Sequence, residues 1–397
     1  MKTILCVASY FKGNDFLATC KRQGWHVVLL TLESILDKPW ARDSIDEVFA
    51  LPSLSDRKAV VHTVSWLART RDVQRLAPLD DYDVETVAHL REHLRIPGMG
   101  ETTARYFRDK LAMRARAEDR GIAVPDFVHV LNHDKVRDFC RRVPAPWLLK
   151  PRSEASAVGI KRFDDEAAVF AAIEQLGDAQ SSHLLERMVP GDVFHVDAVV
   201  SEREILLSEV HRYRKPLLEI WTGGGIFATR TVQRGSELEA QILATHEQVI
   251  AHLGLVRGVT HTEFIRGRDD GRVYFLETAA RVGGVHISDL VNASTGVNLW
   301  EEWAKIELGQ GETPYRLPER RRDYGGLIVT LAKQEVPDTS AYGDAEIVWR
   351  LRDNPHHVGL IVRASGPERI EQLLDDYEPR FARDFAASMP PPSAPTA

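Results

Sequence analysis

The chain has 397 residues, 44% of them apolar and 27% charged, and a formal net charge of −7. That length supports two to four domains with cores of their own, and the mild acidity argues against nucleic acid or an anionic membrane as the main partner. Three scattered cysteines, Cys6, Cys20 and Cys140, give neither a disulfide frame nor a zinc site and suggest a reducing compartment.

The apolar run Met1–Ala8 is too short for a signal peptide, and Lys12 and Asp15 follow at once, so Thr3–Ala8 reads as a buried strand. No run approaches the length of a membrane span, and the expected location is cytoplasmic. Asn14–Gly24 reads as a helix and His26–Leu30 as a second strand. Strand, helix, strand at this spacing implies a right-handed βαβ unit and a parallel sheet. Further α/β signals follow at Lys58–Arg69, Arg75–Ala77 and Asp83–Leu94. The turn after the first strand, Ser9-Tyr-Phe-Lys-Gly-Asn14, is no glycine-rich phosphate loop, so nucleotide is not expected here in the dinucleotide-fold manner.

Pro97-Gly98 punctuates the chain, and a long helix is expected over about Glu101–Gly121. Trp147–Pro151 reads as a strand stopped by proline, Asp164–Leu176 as a helix, and His183–Met188 and Val193–Val200 as strands flanking Pro190-Gly191. Trp221–Gly225 reads as a mobile loop. Ser236–Leu253 reads as an amphipathic helix and Trp300–Leu308 as another. From Asp323 to Met389, strands alternate with a helix at Pro367–Tyr377, and residues 390–397 read as a disordered tail.

Chemistry concentrates at Glu263 and Glu277. They lie in strand-like runs, Val259–Ile265 and Val273–Thr278, joined by the turn-rich Arg266–Arg272. A hairpin folded symmetrically about residue 270 sets the two acids opposite each other, with Cβ atoms ~5 Å apart. Facing carboxylates repel, and a divalent cation with oxygen ligands compensates best; Mg²⁺ typically takes one or two carboxylates plus substrate phosphates. From the hairpin alone, two solvated glutamates in another register are an equal alternative.

Lys150 ends an apolar strand ahead of a small-residue loop, Ser153–Gly159, whose exposed N–H groups suit phosphate oxygens, although an ordinary surface loop reads the same way. Lys110 lies among basic helix residues and could equally be a solvated face. Arg281 follows Glu277 closely enough to steady a transferred phosphoryl group, or to form a simple ion pair. Gly283 and Gly284 permit close backbone approach by a substrate. Arg214, Arg230 and His286 are candidates for a substrate carboxylate. His195, Asp197, His211 and Arg214 lie in or near strands that face the expected cleft, where a structural or exposed role is the commoner one.

Taken together, Arg108-Asp-Lys110, Gly121-Ile-Ala-Val-Pro125, Leu149-Lys-Pro151, Glu186-Arg-Met-Val-Pro-Gly-Asp192, Thr262-Glu263-Phe264 and Leu276-Glu-Thr-Ala-Ala-Arg281 resemble the ATP-grasp superfamily over most of the chain. Arg212–Pro216, Gly223–Ile226 and His286–Gly296 are most similar to its carboxylate–amine ligases of the amino-acid and dipeptide type. The resemblance implies an α/β (α+β grasp) fold: an N-terminal parallel α/β domain (1–100), two grasp subdomains (101–185 and 186–322) and a C-terminal α+β subdomain (323–389). It implies ATP bound by Lys110, Lys150, Ser156, Gly159, Glu186, Met188, Val189 and Asp192. It further implies Mg²⁺, or Mn²⁺ in its place, on Glu263 and Glu277, and Arg281 as the catalytic cation. Small carboxylate and amine substrates, amino acids first, and a homodimer are compatible with it. A carboxylase or formate-using transferase, or an ATP-binding protein without turnover, are the alternatives. Two departures stand out. Ala279 occupies the place where many members carry a metal-binding Asn, and Val193 the place where the ribose-binding acid commonly falls. The number of metal ions and the ribose partner therefore stay open.

Overall fold

The computed structural model describes residues 2–155, 158–218, 220, 225–312, 314–352 and 354–387. Its strands form three sheets. The first holds β1 (Thr3–Ala8), β2 (His26–Leu32), β3 (Glu47–Leu51) and β4 (Val73–Pro78), all parallel, in the order β3-β2-β1-β4. Every residue of β1 is buried, as a strand covered on both faces requires. The second sheet is antiparallel and holds β5 (Phe127–His129), β6 (Trp147–Pro151), β7 (Lys161–Phe163) and β8 (His183–Arg187) in the order β5-β8-β6-β7.

The third and largest sheet contains β9 (Gly191–Ser201), β10 (Glu204–Tyr213), β11 (Phe227–Thr231), β12 (Gly258–Gly267), β13 (Val273–Ala279), β14 (Tyr324–Leu331), β15 (Ile347–Arg350) and β16 (His357–Ala364). Its order is β13-β12-β9-β10-β11-β14-β16-β15, with every pairing antiparallel. The strands after residue 323 therefore extend the same sheet, and the helix Pro367–Asp384 covers them with Ile370, Leu374, Tyr377 and Phe381. Along β9 the side chains alternate. Phe194 and Val196 join a core with Ile242, Val249 and Ile250 of the helix Glu237–Leu253. His195 and Asp197 fall on the opposite face, which carries the polar groups of the site.

Two expectations need correction. The helix expected over 101–121 is two helices, Glu101–Arg105 and Lys110–Glu118. Asp109 is the reason: its carboxylate accepts from Leu111 N at 3.0 Å and Ala112 N at 3.3 Å, so it caps a new helix rather than continuing the old one. The Lys110 N–H then leaves the helix for Arg152 O at 2.8 Å. The last helix runs on past Tyr377, through Pro379, because Phe381 and Phe385 pack with Tyr342. The expected tail at 390–397 and most of the loop at 221–225 lie outside the described residues. Among the described residues no helix is long and apolar enough to cross a membrane.

Candidate active site

Glu263 and Glu277 are register partners in β12 and β13. The symmetry behind that pairing is indirect. Near the turn, Arg266 pairs with Val273 and Phe264 with Phe275, which centres the hairpin half a residue before 270. A bulge between Glu263 and Phe264 takes up one residue on β13 and brings Glu277 opposite Glu263. Without it Glu263 would face Leu276.

Both acids line a cleft of about 600 Å³, together with Lys110, Arg114, Lys150, Glu186 and Arg281. Two buried carboxylates on its basic side are each shared by two cations. Glu186 takes Lys150 Nζ at 2.6 Å and Arg114 Nη2 at 2.7 Å. Asp81, from the loop after β4, takes Arg281 Nη2 at 2.6 Å and lies 3.5 Å from Arg108 Nη1. Burial alone would raise both carboxyls, but the guanidinium and ammonium groups beside them hold both below their ordinary values. Burial opposes the charge of Arg281 too, yet Asp81 and Asp80 raise its pKa further. Lys110 Nζ pairs with Glu277 Oε2 at 2.8 Å and donates to Glu154 O at 2.5 Å, which draws the small-residue loop against the acids. Tyr82 OH donates to Glu154 Oε2 at 2.8 Å from the other side.

Behind Glu263 lies a buried polar chain. Tyr213 OH donates to Glu263 Oε1 at 2.9 Å, and His261 Nε2 lies 3.6 Å from the same oxygen. Asp197 joins His261 Nδ1 at 2.9 Å to His195 Nδ1 at 2.7 Å, and His195 Nε2 meets Thr229 Oγ1 at 2.8 Å. Burial lowers the pKa of both histidines. For His195 it prevails, at about 4; for His261, Asp197 and Glu263 outweigh it and raise the value to about 9. Burial would raise Glu263, but His261 and Tyr213 hold it below the usual carboxylate range. His211 stacks on His195 at 4.8 Å with neither ring nitrogen hydrogen-bonded.

The remaining candidates divide. Met188, Val189 and Asp192 line the cleft, but Met188 N donates to Pro146 O at 3.0 Å and Asp192 pairs with Arg212 at 3.0 Å. Gly159 is exposed at the end of its loop, with φ +74° and room for no Cβ, which would meet Pro151 Cγ at 2.8 Å; Val158 and Ile160 reach the cleft instead. Ser156 lies outside the described residues. Gly284 lines the cleft beside Val285. Arg214 is in the lining too, but its guanidinium is held by Glu371 at 3.1 Å, Asp375 at 2.5 Å and Glu378. Arg230 also pairs with Glu371 and is not among the lining residues. His286, left-handed at φ 61°, turns from the cleft to Asp289 at 2.9 Å and the Trp349 ring at 4.6 Å. Sequence reading overlooked Arg114, Asp81 and Tyr213. Only Arg114 leaves a signal, four residues after Lys110 on one helix face.

No family model matches the chain. It is 23% identical over 269 residues to an L-arginine-specific L-amino acid ligase of Bacillus subtilis, covering 66% of this chain and 64% of that one, slightly less than two thirds of the relative. Its structure is similar to that of an L-amino acid ligase from Bacillus licheniformis, with a TM-score of 0.75 at 18% identity over 97% of this chain and 98% of the other. It is also similar to N5-carboxyaminoimidazole ribonucleotide synthetase from Thermus thermophilus, with a TM-score of 0.72 at 18% identity over 98% and 99%. The fold is the ATP-grasp fold. The antiparallel sheet β5-β8-β6-β7 contributes Lys150 and Glu186 to the cleft, and the strand pair β12–β13 contributes Glu263 and Glu277.

Proposed function

We propose that the protein is an ATP-dependent ligase that joins a small carboxylate to an amine, releasing ADP and phosphate. The observation that carries the reading is the direct pairing of Glu263 with Glu277 in a cleft that Lys110, Lys150 and Arg281 also line. The similarity to amino acid ligases supports amino acids as the substrates.

A carboxylate oxygen is a poor leaving group, and phosphorylation by ATP makes it a good one. Lys150 and Lys110 neutralise the phosphates of ATP, while Leu148, Ile160, Met188 and Leu276 offer an apolar wall to its base. The hard carboxylate oxygens of Glu263 and Glu277 fit Mg²⁺, which when bound would neutralise the charge of the β- and γ-phosphates. Arg281 steadies the phosphoryl group as it passes to the carboxylate oxygen. The amine then attacks the acyl carbon, the C–O bond to phosphate breaks, and the amine loses a proton as the amide forms. Keeping water out of the cleft protects the acyl phosphate from hydrolysis. In this reading residues 1–100 form a pre-grasp domain, 101–185 and 186–322 the two grasp subdomains, and 323–389 a C-terminal subdomain.

The test is ADP release measured against pairs of amino acids. Release should require both a carboxylate and an amine, and Glu277→Gln should lower it roughly 10²–10³-fold. Unchanged turnover in that variant removes the metal role, and ADP release with bicarbonate or formate alone moves the reading to a carboxylase or formate-using transferase.

A further inference from the structure

Glu263 and Glu277 are each held by one oxygen. Glu263 Oε1 receives Tyr213 OH at 2.9 Å and faces His261 Nε2 at 3.6 Å, whereas among the described residues nothing bonds Oε2. Glu277 mirrors this, with Lys110 on Oε2 at 2.8 Å and Oε1 without a described partner. Each acid therefore has one oxygen held by a neighbouring side chain and one without a described partner.

That restriction has chemical content. Mg²⁺ demands near-octahedral geometry with short bonds and takes carboxylates one oxygen at a time, whereas Ca²⁺ is larger, tolerates irregular shells and accepts bidentate carboxylates. A glutamate free to turn can offer both oxygens equally; one held through Oε1 offers Oε2 more readily, because Oε1 has already given one of its lone pairs to a hydrogen bond. Tyr213 suits the pinning role. It is nearly fully buried, its ring is fixed against His195 at 4.6 Å and Phe227 at 5.7 Å, and its hydroxyl has one proton to give. The other neighbour of its oxygen, His261 Nε2, lies farther away at 3.4 Å, so the hydroxyl proton goes to the charged carboxylate.

We infer that Tyr213 is a positioning residue that holds Glu263 through Oε1 and so biases the site toward one-oxygen ligation and a Mg²⁺-class cation over Ca²⁺. The inference rests on the ligase reading and extends it to the choice of metal. Its test is Mn²⁺ binding in the presence of a non-hydrolysable ATP analogue, followed by electron paramagnetic resonance, with Mg²⁺ and Ca²⁺ as competitors. Tyr213→Phe keeps the ring and removes the hydroxyl. It should weaken Mn²⁺ roughly 10- to 100-fold, the usual effect of losing a partner of a metal ligand, and narrow the preference for Mg²⁺ over Ca²⁺. Tyr274→Phe is the control: its hydroxyl donates to Asp270 at 2.5 Å and touches neither acid, so both readouts should stay at the wild-type values even if the protein melts earlier. A wild-type protein that binds no Mn²⁺–nucleotide overturns the ligase reading itself. A wild type that binds, with Tyr213→Phe matching it in affinity and in the Mg²⁺ to Ca²⁺ ratio, overturns the inference alone. Equal losses in Tyr213→Phe and Tyr274→Phe also overturn it, since they would mark a general loosening.

Discussion

Glu186→Gln isolates the counterion logic of the cleft. Glu186 is 1% exposed and bonds Lys150 at 2.6 Å and Arg114 at 2.8 and 2.7 Å, with Arg114 itself 1% exposed. The amide keeps the shape and removes the charge, so two buried cations lose their shared partner. Breaking a buried pair from one side costs about 3–5 kcal/mol. At roughly 2–4 °C per kcal/mol, the thermal midpoint should fall on the order of 6–20 °C. The assay is thermal unfolding followed by circular dichroism and by tryptophan fluorescence, since a chain of this size need not melt in one step. The pH dependence gives a second readout. The folded-state pKa of Glu186 lies below its unfolded value, so its contribution is complete above the ordinary carboxylate range and is lost as pH falls through the folded value. The gap between wild type and variant should therefore narrow as the pH is taken down from 6. A loss under about 1 kcal/mol, the size of an exposed pair, or a gap that widens in acid, would refute the reasoning.

Arg281→Lys keeps a positive charge but gives up the fork that grips Asp81 through Nε at 2.9 Å and Nη2 at 2.6 Å. Steady-state kinetics should show kcat down by roughly 10²-fold with the KM for ATP little changed, since the contact matters most to the phosphoryl group in flight. Asp83 behaves oppositely to Glu186. Burial and neighbouring Asp80 push its carboxyl up to about 7, although Ser9 donates to it through N at 2.9 Å and Oγ at 2.5 Å. A raised folded-state value means that its stabilising contribution is present in acid and lost as pH climbs from about 4 to 7. Asp83→Asn should remove that slope, as the difference between the two denaturation midpoints plotted against pH will show.

The sequence was most legible where local pattern and chemistry coincide. The run Thr3–Ala8 and the hairpin around residue 270 carry their structure in period and turn residues. The facing of Glu263 and Glu277 is half legible: the arithmetic of the hairpin finds the pair, but the bulge that makes it true leaves no mark in composition. β10 is legible only as a strand near His211 and β11 is not legible, because inward polar groups such as Tyr213 and Thr229 break the apolar alternation that signals a strand. The fate of Arg214 and Arg230 could not be read at all. Their partners, Glu371, Asp375 and Glu378, lie over 140 residues away and meet them only once β11 is paired with β14. Asp81 reaches Arg281 across 200 residues for the same reason.

The order of strands in the large sheet has a bearing on how the chain is made. β11 ends at Thr231, while its outer neighbour β14 begins only at Tyr324, so on a ribosome the earlier strand emerges some ninety residues ahead of its partner. At a synthesis rate of ~5–20 residues per second, that leaves an open strand edge for several seconds. Such an edge is a template for wrong pairing with another nascent chain. Slowed translation between the two strands, or a shortage of chaperones that shield exposed backbone, should then show first as loss of yield rather than as loss of specific activity.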